Sequence, residues 1–537
     1  MSFDYPLTIN RILTRTLYRK SPSQIVYGKT RYTWLEFHDR IIKLASSLES
    51  IGVKKGTRVG VIDFDTNRYL ECYYTIPMMG AILHTINLRL PPEHLIYTIE
   101  NAEDEFLIVT EDFLPLIMKT LPSLTRIKGV ITMSDSGSAP QFHGRATYFY
   151  DDLLSRGDPS YTFKEPSEND VATLFYTSGT TGFPKGVWFT HRQIVLHSLA
   201  TMFGFFFAAK GHGLEATDVM MPLVPFFHVH SWGMPYNAGF MGMKLVLCGK
   251  YDPKNVLELL KNERVTFSSM VPTILNMIVN YPEVDNYIDA LSKWKVVVGG
   301  AALPRGLALR AIKLGIKVMS GYGLSETAPV LTLATPTERY AHMSDEDLLD
   351  SVLLKTGLPI PLVDLRVVNS EMNDVPRDNR TFGEIIVRAP WLTKEYYKDP
   401  EKSSQLWAGG WLHTGDLAVM DDEGYITIVD RLRDAIRSGG EWISTIVLED
   451  LIIRHPAVIE AAVIGVKDDR WGERPLAVVY TKQKLDPAEL REYMMKFVDE
   501  GKIARFWIPD RFVIVNEPLP KTSTGKIDKK PLRANIT

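Results

Sequence analysis

Helical and strand patterns alternate along most of this chain, and that alternation limits the available folds more than any other feature. Thr33–Ile51 carries apolar residues at spacings of three and four, which is typical of a helix with one buried face. Thr33 followed by Glu36 matches a capping box at the start of this helix. Arg58–Phe64 is typical of a strand. Repeated alternation of this kind predicts a mostly parallel sheet with helices packed on its faces.

The two patterns recur on both sides of a polar stretch near Ser134–Gly144. Further strands are predicted at Ala81–Ile86, Phe106–Thr110, Val171–Tyr176, Lys244–Leu247, Lys295–Val298 and Lys317–Ser320. Further helices are predicted at Arg68–Met79, Glu93–Ala102, Asp252–Asn262 and Leu307–Leu314.

The pattern changes near Lys355 and again after Arg433, which indicates more than one domain. A chain of 537 residues exceeds the size at which a single core stops growing, ~250–300 residues. We predict an α/β fold with a large N-terminal domain over residues 1–432, made of mostly parallel sheets flanked by helices. Short strands separated by Gly, Pro and Asp predict a β-rich subdomain at about 350–432. A small α+β domain is predicted over 433–537.

Individual elements are predicted in this second part of the chain as well. The strands are Asp364–Val368, Gly383–Arg388, Tyr425–Val429, Ala461–Val466 and Leu476–Tyr480, and the helices are Ser444–Arg454 and Asp486–Val498.

Charge and cysteine content exclude several classes of protein. Lys plus Arg total 61 and Asp plus Glu total 64, so no electrostatic attraction to nucleic acid is expected. Cys72 and Cys248 lie in apolar stretches without metal-ligand spacing, so we predict buried free thiols and a cytoplasmic location. Met1–Lys20 lacks the apolar core of a signal peptide. The most apolar window, Ile194–Ala209, is shorter than the ~20 residues of a spanning helix, so we predict a core helix and no transmembrane segment.

A loop rich in glycine and hydroxyl groups follows the predicted strand Val171–Tyr176. Thr177–Gly186 (TSGTTGFPKG) contains three glycines, four hydroxyl side chains and one lysine. Glycines let backbone N–H groups approach an anion, while the hydroxyls and the cation add further partners. Ligand sites of α/β proteins lie at the ends of such strands. The loop therefore predicts a phosphate-binding site.

Spacing excludes the familiar phosphate loops and a hydrolase. The loop lacks the Gly-x4-Gly-Lys-Ser/Thr spacing and leads into the apolar segment Val187–Phe189, with Thr190 as an N-cap only afterwards. Gly28-Lys29-Thr30 does not complete the Gly-x4-Gly-Lys-Ser/Thr loop, because Ser23 stands where its first glycine belongs. Gly321-Tyr-Gly323 does not complete the Gly-x-Gly-x-x-Gly dinucleotide motif, because Glu326 stands where its third glycine belongs. Ser325 is not framed as Gly-x-Ser-x-Gly.

The loop resembles the signature of the adenylate-forming superfamily, which contains acyl-CoA synthetases, luciferases and peptide-synthetase adenylation domains. Seven other motifs of that family occur in order, and the resemblance covers almost the whole chain. They are Pro225–His230 (PFFHVH), Gly299-Gly300-Ala301, Gly321–Thr327 (GYGLSET), Trp411–Asp416 (WLHTGD), Asp430–Asp434 (DRLRD), Gly439–Ser444 (GGEWIS) and Pro520–Lys526 (PKTSTGK).

The resemblance implies roles for particular residues. Catalytic roles fall to Lys526, Glu326 and His228, and the metal site to Thr177 and Glu326. ATP or AMP would contact Thr177, Ser178, Gly179, Thr180, Thr181, Gly182, Lys185, Gly300, Ala301, Gly321, Tyr322, Gly323, Ser325, Thr327, Asp416, Arg431, Arg433 and Arg437. The acyl group would contact Val229, Trp232 and Gly299, and the CoA step would use Gly439, Gly440, Glu441 and Trp442.

Taken singly, each of these residues has a simpler structural interpretation. Lys526 lies in a basic tail and alone would be a solvated surface lysine. Asp416 alone would be a turn residue, Glu326 a carboxylate favoured at a helix N-terminus, and His228 a core histidine. Trp232 could equally be a buried aromatic or a gate of the acyl tunnel. The order of the motifs favours the functional interpretation.

The resemblance implies a two-step reaction that uses ATP, Mg²⁺ and coenzyme A. A carboxylate first reacts with MgATP to give acyl-AMP and pyrophosphate, and the thiol of CoA then displaces AMP. A mobile C-terminal domain with its hinge at Arg433 would present Lys526 in the first step and Gly439–Trp442 in the second. Val224–Trp232, Gly439–Ser444 and Lys355–Pro359 are most similar to medium- and long-chain fatty-acyl-CoA synthetases.

Alternatives of substrate and acceptor stay open at this point. The acid could be short-chain or aromatic, and the acyl group could pass to a carrier protein or be oxidised. A non-catalytic acyl-binding role is disfavoured because Lys526 and Asp416 are both present. Relatives in the fatty-acyl group can dimerise through the N-terminal region, so the resemblance leaves a homodimer open.

Overall fold

A computed structural model describes residues 5–135, 141–142, 144–177, 183–208, 211–340, 342–521 and 527–536. The chain forms two compact units. Unit 1 comprises Met1–Asp364 and Arg388–Leu412, and unit 2 comprises Leu365–Val387 and His413–Thr537. The predicted domains, 1–432 and 433–537, remain a prediction.

The strands, in chain order, are β1 (Gln24–Tyr27), β2 (Thr30–Thr33), β3 (Arg58–Ile62), β4 (Ile82–Thr85), β5 (Phe106–Thr110), β6 (Gly129–Met133), β7 (Ala146–Phe149), β8 (Val171–Thr177), β9 (Lys185–Thr190), β10 (Val219–Met220), β11 (Lys244–Leu247), β12 (Phe267–Met270), β13 (Lys295–Val298), β14 (Lys317–Gly323), β15 (Val330–Leu333), β16 (Leu358–Pro359), β17 (Asp364–Val368), β18 (Gly383–Arg388), β19 (Tyr396–Tyr397), β20 (Leu412–Met420), β21 (Ile426–Arg431), β22 (Ile436–Ser438), β23 (Glu441–Ile443), β24 (Glu460–Asp468), β25 (Gly472–Tyr480) and β26 (Arg511–Val515).

The α-helices are α1 (Thr14–Tyr18), α2 (Trp34–Ser50), α3 (Asn67–Met78), α4 (Pro92–Ala102), α5 (Leu114–Thr120), α6 (Tyr150–Arg156), α7 (His191–Phe206), α8 (Met234–Met241), α9 (Pro253–Asn262), α10 (Pro272–Val279), α11 (Ile288–Leu291), α12 (Arg305–Lys313), α13 (Asp345–Leu348), α14 (Pro400–Leu406), α15 (Thr445–Ile453), α16 (Pro487–Asp499) and α17 (Lys529–Ile536).

Unit 1 is built on two large sheets. One has eight strands in the order β19-β9-β8-β4-β3-β5-β6-β7, and the other has nine in the order β16-β15-β14-β13-β12-β10-β11-β1-β2. The central strands of both pair in parallel, for example β3 with β4 and β5, and β13 with β12 and β14. Apolar side chains of β5 and β6 pack against α4 and α5 in one buried cluster. The predicted parallel α/β architecture is therefore confirmed.

Unit 2 contains two smaller sheets. The strands β17-β18-β20-β21 form one of them, and β23-β22-β25-β24 with β26 beside β25 form the other. Helices α15 and α16 bury Leu448, Leu451, Leu490 and Met494 against the second sheet, which gives this unit a core of its own. The predicted short strands and the α+β pattern after Arg433 are confirmed.

Local sequence signals predict most element boundaries to within a few residues. Thr33 caps α2 in the predicted capping box, in which its side chain accepts from Glu36 N and the Glu36 carboxylate accepts from Thr33 N. The apolar window beginning at Ile194 is the core helix α7, capped by Thr190 as predicted. Cys72 and Cys248 are both buried free thiols. No helix in the described ranges is long and apolar enough to cross a membrane.

Candidate active site

The predicted phosphate loop joins two paired strands of the eight-stranded sheet. Strand β8 is buried over most of its length, and β9 returns antiparallel to it with Thr177 directly opposite Lys185. Directly opposed residues project from the same face of a sheet, so both side chains lie on one face at the mouth of the loop. Ser178, Gly179, Thr180, Thr181 and Gly182 lie outside the described residues.

Glu326 lies in a short 3-10 turn, Ser325–Thr327, that follows β14. Thr327 closes this turn, because its hydroxyl oxygen accepts from Leu324 N at 2.9 Å. The Glu326 Oε1 atom accepts from the Tyr396 hydroxyl at 2.7 Å. Among the residues with described positions, no donor reaches the second oxygen, Oε2, so this atom is available to a cation.

The donor set around Glu326 is that of a cation brought in with its ligand. Nowhere in the described ranges do three His, Cys, Asp or Glu side chains cluster as a metal site. Mg²⁺ is usually held by one or two carboxylates together with water and substrate phosphates. One carboxylate oxygen of Glu326, with the Thr177 hydroxyl as the second predicted ligand, would suit Mg²⁺ that arrives bound to a nucleotide.

Two glycines, Gly299 and Gly323, let the segments predicted to contact the acyl group and the nucleotide pack closely. A Cβ atom on Gly299 would lie 2.7 Å from the Gly321 carbonyl oxygen and 2.9 Å from the Trp232 ring. A Cβ atom on Gly323 would lie 1.8 Å from the Pro329 carbonyl oxygen. These contacts bring Gly299, Gly321 and Trp232 together, while their roles in binding the acyl group and the nucleotide stay predictions.

An apolar cavity lies beside these glycines. It has a volume of about 50 Å³, room for only a few water molecules. Its walls include the predicted residues His228, Val229, Trp232, Gly300, Gly321, Tyr322, Gly323 and Ser325, and also Phe205, Met234, Val297 and Leu333. No Asp, Glu, Lys or Arg lies among the described residues that line it. The cavity suits an uncharged, apolar group.

The segment that carries Trp232 has an unusual backbone. Val229, His230, Ser231 and Trp232 all have positive φ, between 38° and 58°, and Gly233 follows at 80°. His228 is exposed, whereas His230 is buried with Nε2 2.7 Å from the Thr173 hydroxyl. Burial lowers the pKa of His230 to about 3, so this imidazole is neutral at physiological pH.

The predicted ribose-binding residues form an ion pair within unit 2. Asp416 on β20 lies opposite Arg431 on β21, and Arg431 Nε is 2.7 Å from Asp416 Oδ1. The Asp416 side chain is almost fully buried, while the Arg431 side chain is partly exposed. Gly415 has a φ of 68°, and its N–H donates to Glu384 Oε1. A carboxylate beside a guanidinium has two oxygens that can accept hydrogen bonds from sugar hydroxyls.

The residues predicted for the phosphate contacts and the CoA step lie on exposed parts of unit 2. Arg433 is exposed beside Asp434, and the Arg437 guanidinium lies 5.5 Å from the Trp442 ring centre. Gly439 and Gly440 have φ values of 61° and 89°. Ala301 and Glu441 are exposed in unit 1 and unit 2 respectively. Lys526 lies outside the described residues.

Sequence reasoning missed two kinds of residue near the site. Tyr396 contacts Glu326, and its ring centre lies 4.3 Å from Lys185 Nζ. Its only sequence signal is a pair of tyrosines in a polar stretch. Phe205 and Leu333 line the apolar cavity from elements distant in sequence. Their apolar character predicted burial and gave no indication of which cavity they line.

Comparison with known proteins places these features in one family. A family profile described as "AMP-binding enzyme" matches residues 15–397, and one described as "AMP-binding enzyme C-terminal domain" matches residues 447–526. The chain is 40% identical over 507 residues to a long-chain-fatty-acid–CoA ligase of Thermus thermophilus, covering 94% of this chain and 90% of the relative. It is 37% identical over 508 residues to a medium-chain-fatty-acid–CoA ligase of Ectopseudomonas oleovorans, with the same coverage.

A solved structure of similar fold has a different acid in its site. The crystal structure of an anthranilate CoA ligase in complex with anthranoyl-AMP superposes with a TM-score of 0.82 at 25% identity, covering 99% of this chain and 98% of that one. The fold therefore accommodates acids of more than one class.

Proposed function

The chain belongs to the family of AMP-binding enzymes and is an AMP-forming acid–CoA ligase, and from this premise we propose that its acid is a medium- or long-chain fatty acid. The observation that carries the proposal is the predominantly apolar lining of the cavity at Trp232, Val297 and Leu333. Its volume of about 50 Å³ would extend to a longer chain only when the Trp232 ring moves. The second polar group of a dicarboxylate or an amino-substituted aromatic acid would need a hydrogen-bonding partner, because an unpaired buried polar group is costly. Among the described lining residues, only His228, Tyr322 and Ser325 have polar side chains beside the Trp232 indole. An alkyl chain needs no such partner.

In the adenylation step, a carboxylate oxygen forms a bond to the α-phosphorus of ATP as the bond to the pyrophosphate leaving group breaks. Bringing two anions together is costly in a site of low dielectric constant, so cations must lie at the transferring group. Lys185 at the loop and Lys526 are the side chains proposed for this. Bound Mg²⁺ would neutralise further phosphate charge, with Glu326 and Thr177 as its protein ligands.

Asp416 and Arg431 are proposed to hold the ribose. Arg431 Nε lies 2.7 Å from Asp416 Oδ1, and a carboxylate paired with a guanidinium can also accept hydrogen bonds from the ribose hydroxyls. In the second step, the CoA sulfur attacks the acyl carbon and AMP leaves, with Gly439–Trp442 proposed beside the thiol.

A panel of acids tests the proposed substrate directly. CoA-dependent AMP formation would be measured with acetate, butyrate, octanoate, palmitate, benzoate and anthranilate. We expect kcat/KM to peak at octanoate or palmitate. A peak at acetate or at an aromatic acid would refute a fatty-acid substrate. AMP release without CoA but with an acyl-carrier protein would assign a different acceptor.

The location and the oligomeric state are also proposals. Two buried free thiols suit a reducing compartment, so we propose that the enzyme acts in the cytoplasm. A homodimer is proposed from the family resemblance alone, and sedimentation velocity would measure it.

A further inference from the structure

A short segment of unit 1 is hydrogen-bonded to both halves of the nucleotide site. This segment, Leu392–Tyr397, is called the Tyr396 strap here. Its strand β19 pairs antiparallel with β9, with Tyr396 opposite Val187 and Tyr397 opposite Gly186. Its Thr393 N–H donates to the Glu326 carbonyl oxygen at 2.9 Å. The strap therefore joins the strand that carries Lys185 to the turn that carries Glu326.

The Tyr396 side chain contacts a charged group in each half. Its hydroxyl donates to Glu326 Oε1 at 2.7 Å, and its ring centre lies 4.3 Å from Lys185 Nζ. A cation over an aromatic face and a hydrogen bond to a carboxylate both strengthen when shielded from water. Tyr396 is 7% exposed, so both contacts are shielded.

The strap itself holds Tyr396 in place. Tyr396 N donates to the Ser403 hydroxyl at 2.9 Å, and the Trp407 indole N–H donates to the Thr393 carbonyl at 3.2 Å. A tyrosine hydroxyl ordinarily titrates near pH ~10, well above physiological pH. The hydroxyl therefore remains a donor throughout the physiological pH range.

We propose that Tyr396 is a positioning residue for acid adenylation. Its hydroxyl occupies Oε1 of Glu326 and leaves Oε2 for the cation that accompanies ATP, while its ring holds the Lys185 ammonium at the mouth of the phosphate loop. This inference rests on the proposed roles of Glu326 and Lys185 in adenylation. It assigns to one neutral side chain the relative placement of two charged groups: the Glu326 carboxylate in the turn after β14 and the Lys185 ammonium on β9.

The test separates the hydroxyl from the ring. Tyr396→Phe removes the hydrogen bond and keeps the aromatic face, and Tyr396→Leu removes both. Tyr397→Phe is the matched control, because the Tyr397 hydroxyl contacts Arg58 and Glu103 instead. ATP–pyrophosphate exchange reports adenylation, thioester formation from supplied acyl-AMP reports the second step, and calorimetry reports binding of MgATP and of AMP.

Loss of a hydrogen bond to a charged group commonly changes an equilibrium constant or a rate constant by roughly 10- to 100-fold. We expect Tyr396→Phe to lower exchange by about that factor and to weaken MgATP binding more than AMP binding. Thioester formation and the melting temperature should stay near wild-type values. Tyr396→Leu should lower exchange further, and Tyr397→Phe should match the wild type.

Two results would overturn the proposal. One is exchange by Tyr396→Phe equal to that of the wild type. The other is an equal loss of both half-reactions with a lowered melting temperature, which would indicate a purely structural role. A double-mutant cycle with Glu326→Gln adds a further check: the MgATP-binding losses must be less than additive, since both variants break one contact.

The acid used in these assays is the one that wild-type enzyme prefers in the substrate panel. Failure of the fatty-acid proposal would therefore appear in the wild-type profile, while failure of the Tyr396 proposal would appear only in the variants.

Discussion

Asp65 connects the eight-stranded sheet to the segment that carries the residues predicted for the acyl site. It follows β3, is buried, and its Oδ1 accepts from Phe226 N at 2.8 Å. The Tyr73 hydroxyl donates to the carbonyl oxygen of Phe226. Both backbone groups of Phe226 are thus bound by side chains just before the turn that bears Trp232. Burial, with a smaller contribution from Asp63, raises the pKa of Asp65 to about 8.

A raised carboxyl pKa makes stability depend on pH with a definite sign. An unfolded Asp titrates near ~3.9, so between about pH 4 and about pH 8 the folded chain keeps a proton that the unfolded chain releases. The free energy of unfolding should therefore fall as the pH rises through this window, by up to about 1.4 kcal/mol per pH unit from this group. Asp65→Asn mimics the protonated form, so its free energy of unfolding should depend less on pH. Denaturant titrations at several pH values would measure this.

The exposed Asp39→Asn is the control and should follow the wild-type curve. An Asp65→Asn curve parallel to the wild type would show that this carboxyl does not titrate in the window.

Asp416 carries the proposed recognition of the ribose. Because its carboxylate is a charged acceptor, Asp416→Ala should lower kcat/KM for ATP by roughly 10- to 100-fold, which corresponds to about 1.5–3 kcal/mol. The partly exposed Arg431 remains solvated, so the melting temperature should change little. Steady-state kinetics with varied ATP measure the effect, with Asp469→Ala as an exposed control in the same unit. Unchanged use of ATP would contradict the role.

At the scale of elements, the left-handed turn Val229–Gly233 stands out. Left-handed backbone costs roughly 1–2 kcal/mol for each non-glycine residue, so four in succession need firm support. His230 contacts Thr173, and the Ser231 hydroxyl donates to the Val224 carbonyl at 2.5 Å. This support places the Trp232 ring against Gly299 and limits the cavity to its small volume.

Trp232→Ala should therefore change which acids are used. A long alkyl chain cannot enter about 50 Å³ unless Trp232 moves, so removing the ring should raise kcat/KM for palmitate relative to butyrate. Trp232→Phe, which leaves a smaller ring, should have an intermediate effect. Kinetics over a series of straight-chain acids would measure it. Identical chain-length profiles for all three enzymes would refute the gate.

At the scale of the whole molecule, the reaction is predicted to need two arrangements of the C-terminal domain with a hinge at Arg433. Asp430 on β21 is buried and accepts from both the backbone and the hydroxyl of Thr445. Asp434 pairs with Arg533 at 2.9 Å. Within the described part of the chain, the Arg433 N–H donates no hydrogen bond, so proline at this position would remove none.

Arg433→Pro should therefore restrict the hinge without unfolding it. We expect pyrophosphate exchange to persist and acyl-CoA formation from supplied acyl-AMP to fall by at least about tenfold, since proline fixes φ and restricts the preceding residue. Lys526→Ala is the complementary variant and should abolish adenylation while sparing the second step. Equal rates for both half-reactions in both variants would contradict the two-arrangement mechanism.

Much of the fold could be predicted because its signals are local. The capping boxes of α2 and α7 lie within four residues, and the strands β3, β5 and β13 are continuous apolar runs. The anion-loop motif is local too, and its place between β8 and β9 followed from two flanking apolar segments. The division of the chain into units was less accessible, because Leu365–Val387 packs with residues that follow His413.

The sequence alone determined the chemical class, since the loop at Thr177–Gly186 and seven further motifs in order specify adenylate formation whatever the packing around them. Only the tertiary structure decided how those motifs meet. Tyr396 and Glu326 are 70 residues apart, and their contact depends on the pairing of β19 with β9. The closure of the cavity by Trp232 depends on glycines at Gly299 and Gly321, from two neighbouring strands. Contacts of this kind produce no periodic pattern in the amino-acid sequence, because they arise from the spatial order of the strands and not from the spacing of residues along the chain.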